Sequence, residues 1–244
     1  YVAADRYADY YPELKGGKSG GRSMDPVPIS FRKLGKEGQF QRQLPWKMTG
    51  FMKFSVTVNE SREMMDMSFK GIYFMARNII RYYLDMPARL KGLPDNRLTL
   101  GRALVANCRK AMMDRNIPLW LNSEAKTLVR EDGRVVGLQL QKDGKLVNVR
   151  ANKGVLLAAG GMGRNVEMRQ QYGQLPTGEG WSSDSPGNVG DGIRMGLELG
   201  AALEFMGSAW WTPSIKMPDG VMMALISGKS MPGSFFVDGS GKRF

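Results

Sequence analysis

Residues 125–161, AKTLVREDGRVVGLQLQKDGKLVNVRANKGVLLAAGG, constrain the fold more than any other part of the chain. Apolar and polar residues alternate there and are interrupted twice by Asp-Gly, at Asp132-Gly133 and Asp143-Gly144. Asp-Gly accepts the left-handed backbone of a two-residue turn, so the spacing predicts a three-stranded antiparallel meander. The pattern then changes. Residues 155–159 form a continuous apolar run, which suits a strand covered on both faces, as in a parallel sheet. That run ends at Gly160 and Gly161.

Upstream, TLGRALVANCRKAMMDRN from Thr99 has apolar residues at helical spacing, and IPLWL after it reads as a short buried strand. Helix, strand, meander, strand and glycine turn outline an α/β fold, the second half of a dinucleotide-binding domain in which a meander replaces the crossover helix. In such a sheet the carboxyl end of a parallel strand meets bound ligand, which gives Ala159, Gly160 and Gly161 one role. A tight turn needing positive φ gives them another. GGMGRNV is a poor phosphate fingerprint, because Val166 stands where the third glycine belongs, so a phosphate-gripping motif is expected before Tyr1. A second glycine-rich element, Gly190-Asp191-Gly192, opens the helical pattern of IRMGLELGAAL. Backbone N–H groups at that helix start suit an anionic or hydroxyl-rich ligand, while Asp191 could equally be a plain N-terminal cap.

Composition narrows the chemistry. The chain has no histidine, which removes Ser-His-Asp and Cys-His triads and the commonest metal ligand, and its single cysteine removes disulfides and thiolate clusters. No metal site is expected, and Cys108, within an apolar helical pattern, reads as a core thiol. Catalysis then falls to Tyr, Lys, Arg, Asp or Glu, or to a cofactor. The net charge of +12 is scattered, without basic blocks or interleaved aromatics. It reads as a solvated basic face helped by an anionic cofactor, and no nucleic-acid partner is expected. No apolar run reaches the ~20 residues needed to cross a bilayer. The first residues lack both an initiator Met and a signal-peptide core, and the chain is read as the middle of a longer polypeptide. Residues 45–93 are rich in Met and aromatic residues, read chiefly as core and alternatively as a site for a bulky apolar partner.

VLLAAGGMGRNVEMR, NVGDGIRMGLELGAAL and AWWTPSI, with DYYPELKGGKSGGRSMDPVP before them and PGSFFVDGSGKRF after them, resemble in sequence and order the FAD-dependent 3-ketosteroid dehydrogenases. That group lies within the fumarate reductase/succinate dehydrogenase flavoprotein superfamily. The resemblance implies FAD as cofactor, with residues 1–204 belonging to the FAD-binding domain and residues 205–244 beginning an α+β substrate domain. It places Ala125 at the adenine end of FAD, Gly160 and Gly161 where the cofactor approaches, and Asp191, flanked by Gly190 and Gly192, near the ribityl-phosphate region. The substrate would be an apolar steroid-like molecule, dehydrogenated by hydride transfer to flavin N5 while a tyrosinate removes the neighbouring proton. Tyr10 matches that tyrosine best, with Tyr7 and Tyr11 close enough to leave the register open. The setting implied is cytoplasmic, with peripheral membrane association and the electron acceptor left open. One alternative is a fumarate reductase-like enzyme, which Ser227, Gly228 and Lys229 disfavour by offering neither the Glu nor the Arg of its proton relay. Another is a non-catalytic flavoprotein-like subunit.

Overall fold

In the computed structural model, residues 1–4, 9, 13–41, 54–93, 95–225 and 235–243 are described, and they group into two compact units, Tyr1–Leu119 and Trp120–Phe244. Tyr7, Tyr10 and Tyr11, and Ser227, Gly228 and Lys229, lie outside the described residues.

The first unit is built from short strands and helices. Strands β1 (Val2–Ala3) and β2 (Met24–Asp25) pair antiparallel, as do β3 (Ile29–Ser30) and β4 (Arg97–Leu98), the latter in the register Ile29↔Leu98. Between them run α1 (Val58–Met65), α2 (Phe69–Leu84) and α3 (Met86–Leu90), and α4 (Leu100–Asp114) follows β4. Thr57 starts α1 with a reciprocal capping box: its hydroxyl accepts from the Glu60 N–H while the Glu60 carboxylate accepts from the Thr57 N–H. The apolar core gathers Ile29, Leu34, Leu98, Ala103 and Ala106, with Phe31 and Met113 packed against it. The predicted helix from Thr99 is therefore present as α4, and its buried stripe is Ala103 and Ala106. Cys108 is exposed, contrary to its reading as a core thiol, because two residues beyond Ala106 a helix has turned about 200° away from that stripe.

Two other expectations meet the structure here, and residues 45–53 of the Met-rich stretch lie outside the described residues. In the Met-rich stretch Met64 is buried, but Met65 and Met67 are exposed, and α2 presents Phe69, Ile72, Tyr73, Ile80 and Tyr83 on its outer face. That stretch is therefore only partly core. Residues 117–121 form no strand, and Ile117 and Leu119 are exposed.

The second unit opens with a three-stranded antiparallel sheet, β5 (Ser123–Glu131), β6 (Arg134–Lys142) and β7 (Lys145–Arg150), each strand beside its sequence neighbour. The registers Glu131↔Arg134 and Lys142↔Lys145 leave two residues in each turn. Those residues are the two Asp-Gly pairs, all with positive φ (45° and 81°, then 49° and 77°), as the right-handed twist of a tight hairpin requires. Gly137 in β6 is buried, and a Cβ there would overlap the Val149 carbonyl of β7.

Residues 155–159 overturn the expectation of a buried parallel strand. They make no ladder, Leu156 is 90% exposed, and all strand pairing among the described residues is antiparallel. A parallel strand needs partners distant in sequence, and no described strand lies beside this run. Beyond it come α5 (Val166–Gln171), α6 (Asp191–Glu198) and a hairpin of β8 (Ser214–Lys216) with β9 (Met222–Ala224).

Candidate flavin site

Within the second unit, the end of the 155–159 run and the start of α6 are laced together by backbone bonds. Gly190 N–H donates to the Gly161 carbonyl at 3.0 Å, and Arg164 N–H to that of Asn188 at 2.9 Å. The Asn165 amide donates to the Val189 carbonyl at 3.0 Å, while its oxygen accepts from Met168 N–H at 2.9 Å and so caps α5. Arg164 Nε–H donates to the Asp184 carbonyl at 2.8 Å. Ala159, Gly160, Gly161, Gly190, Asp191 and Gly192, separated by thirty residues of sequence, are thus brought together. A Cβ on Gly192 would stand 3.5 Å from that of Ala159 and 3.8 Å from that of Leu157, so α6 begins against the end of the run. Ala125 is half-buried on β5, opposite Leu140 at an irregularity in the ladder, and α6 packs against β5.

The glycines separate into two kinds. Gly160 has φ 78° and a Cβ there would overlap the Asn188 carboxamide, so turn and packing suffice to explain it. Gly190, φ 87°, is the N-cap of α6, and a Cβ there would overlap the Met168 sulfur. Gly161 is different. Its φ lies outside the left-handed region, and no protein atom stands within 4 Å of where its Cβ would be. No described atom requires a glycine there, and the space beside its Cα is open to an approaching ligand.

Asp191 is the first residue of α6 and forms an ion pair with Arg194; it does not cap the helix. No side chain caps that amino end, whose N–H groups remain available to acceptor oxygens. An open glycine, an exposed extended backbone and an uncapped helix start fit a long, oxygen-rich cofactor such as FAD.

Beside the turn lies a cavity of about 770 Å³ with Gly161, Met162 and Gly163 on one wall and Trp181, Phe205, Trp210 and Trp211 among the others. Arg169 of α5 and Thr212 also line it, and sequence reasoning assigned neither to the site. Arg169 stands in the quoted NVEMR, but a helix of six residues gives too little periodicity to show which side chain turns inward.

The charges of the first unit form a closed network instead. Glu60 accepts from Arg97 at 2.7 and 3.0 Å and also from Arg77, and Asp95 accepts from Arg81 at 3.1 Å. Burial pushes Glu60 up, but the Arg97 and Thr57 hydrogen bonds and the two guanidinium charges outweigh it and hold its pKa below the ordinary carboxylate value. Asn78 accepts from Arg97 in the same network and keeps a buried Nδ2 without a partner among the described residues.

A family model described as "FAD binding domain" matches residues 16–244. The 3-oxosteroid 1-dehydrogenase of Mycolicibacterium smegmatis is 34% identical over 98% of this chain and 42% of its own length. That of Comamonas testosteroni is 36% identical over 86% of this chain and 35% of its own length. The solved structure of 3-ketosteroid delta1-dehydrogenase from Sterolibacterium denitrificans in complex with 1,4-androstadiene-3,17-dione superposes with a TM-score of 0.91 at 38% identity, covering 100% of this chain and 44% of that one. The chain therefore spans less than half the length of the relatives it matches.

Proposed function

Because this chain belongs to the FAD-binding domain family, we propose that it is part of an FAD-dependent oxidoreductase that dehydrogenates a 3-ketosteroid-like substrate. The observation that carries this reading is Gly161, open on its Cβ side at the end of the apolar run and beside the uncapped start of α6. The similarity to steroid dehydrogenases across almost the whole chain supports the substrate class.

In this reading residues 1–204 are part of the FAD-binding domain, and residues 205–244 begin the substrate domain. Gly160 and Gly161 let the cofactor lie against main chain, the first N–H groups of α6 donate to its oxygens, and Ala125 meets its adenine end through the β5 backbone. The β5–β6–β7 sheet takes the place of a crossover helix in the dinucleotide fold. Bound flavin supplies an acceptor for two electrons as hydride. Tyr10 takes the proton from the carbon next to the one that loses hydride, so that a C=C bond forms conjugated with the ketone. To act near neutral pH its phenol must fall about three units from the usual 10, which a cationic or hydrogen-bonding neighbour would supply. The enzyme is cytoplasmic, and the exposed apolar face of α2 permits peripheral association with a membrane. Among the described residues no helix is long and apolar enough to cross one.

Purified with FAD, the polypeptide carrying this sequence should be yellow, should bleach on anaerobic addition of a 3-ketosteroid, and should reduce a dye in the presence of that steroid. A flavin that stays oxidised under those conditions overturns the substrate assignment. Gly161→Val should abolish flavin binding while the apo-protein melts as before, within about 0.5 kcal/mol. Gly160→Val should instead cost about 1 to 3 kcal/mol of stability through its left-handed backbone. If Gly161→Val binds FAD stoichiometrically, the cofactor does not approach this turn.

A further inference from the structure

Beside the cavity at Gly161 stand two polar groups without a partner among the described residues. Arg169 is only 5% exposed, yet its guanidinium makes no hydrogen bond or ion pair with any described residue. The Thr212 hydroxyl, on the same cavity, is buried and likewise has no hydrogen-bond partner. Gln174, a third buried polar group there, is committed: its amide donates to the carbonyls of Met206 at 3.0 Å and Ser208 at 3.3 Å. The guanidinium nitrogens are not sealed from solvent, so an anion entering the cavity would meet a cation that no described carboxylate pairs with.

The rest of the lining indicates the shape of that ligand. Trp181, Phe205, Trp210 and Trp211 supply flat apolar surface, on which a fused ring system packs well. Asp184 also lines the cavity, but its carboxylate is exposed against Gly163 and is not within ion-pair distance of Arg169. Arg169 is the one cation among the described residues of the lining, where Ser183, Ser208 and the tryptophan indoles add neutral donors, and its planar fork matches the two oxygens of a single carboxylate.

We propose that this cavity takes an apolar ring system bearing a carboxylate, with the aromatic side chains against the rings and Arg169 donating to the carboxylate oxygens. Resting on the reading above, this makes the substrate class cyclic ketones with an acidic side chain, and Arg169 their specificity residue. The cavity stands between the turn assigned to the cofactor and the segment assigned to the substrate domain, where such a molecule must lie to react.

The test compares 3-oxochol-4-en-24-oic acid with its methyl ester, which replaces the negative charge by one methyl group. Binding to the flavin-loaded protein is followed by quenching of the cavity tryptophans, without turnover. The acid should bind about 30-fold more tightly than the ester, the scale of a charge-assisted hydrogen-bonded pair. Arg169→Met should abolish that preference while keeping flavin and affinity for the ester, and Arg169→Lys should retain part of it. Equal binding of acid and ester to the unaltered protein overturns the proposal without any variant, so a misfolded Arg169→Met protein would not protect it. An Arg169→Met protein that loses FAD yet still prefers the acid also overturns it and moves Arg169 to the cofactor. Should acid binding depend on Arg169 while no ketosteroid bleaches the flavin, the oxidoreductase reading fails and this one stands. If neutral ketosteroids bleach the flavin and the acid has no advantage, the reverse holds.

Discussion

The β5–β6–β7 sheet and the apolar run at residues 155–159 are neighbours in sequence and the run is the more apolar of the two, yet the sheet is a hydrogen-bonded ladder and the run an exposed extended segment. The difference is the sequence distance to a partner. Each strand of the sheet finds its neighbour across a two-residue turn whose Asp-Gly pair already favours the required backbone. Closing such a short loop costs little entropy. The run carries an equally strong strand signal, but a parallel ladder requires a crossover of a dozen residues or more. Local pairing is encoded where it occurs. Non-local pairing depends on what else is present.

Three substitutions bear on that contrast, and the largest effect belongs to Gly137→Val. Its side chain would enter the space of the Val149 carbonyl, so β6 and β7 must separate, at a cost of about 4 kcal/mol, read as a lowered urea midpoint and faster amide exchange in the sheet. An unchanged midpoint would mean that the sheet does not hold its unit together. Gly144→Ala should cost less, about 1 kcal/mol, because φ is 77° but no atom stands within 4 Å of the new methyl group. A larger loss would show that the turn directs pairing rather than merely permitting it. The smallest effect is expected for Leu156→Ser. At 90% exposure the lost side chain should change this chain's stability by no more than about 0.5 kcal/mol. A loss of 2 kcal/mol or more would erase the comparison by showing the run already packed.

The same distinction separates what was legible in the site. Gly160, Gly161, Gly190 and Asp191 stand out in the sequence because glycine clusters at element boundaries are rare and constrained. Their convergence, and the division between a turn glycine at 160 and an open one at 161, depends on Asn188 and on the bonds between the two loops. Asp191 had two readings from its position alone, and the cap is excluded because Gly190 holds the N-cap position of α6. Arg169 and Thr212 carried no signal, since a charged or hydroxyl residue looks the same in sequence whether buried or solvated.

Sequence by itself determined the helix α4, both hairpin turns and the FAD-binding family, because these follow from periodicity, turn stereochemistry and ordered motifs. Tertiary structure alone decided that Cys108 faces outward, that residues 117–121 and 155–159 remain unpaired, and that an unpartnered arginine faces an aromatic cavity. Burial is set by what lies across from a residue in space, and for these positions what lies across from them is either distant in sequence or absent from the described chain.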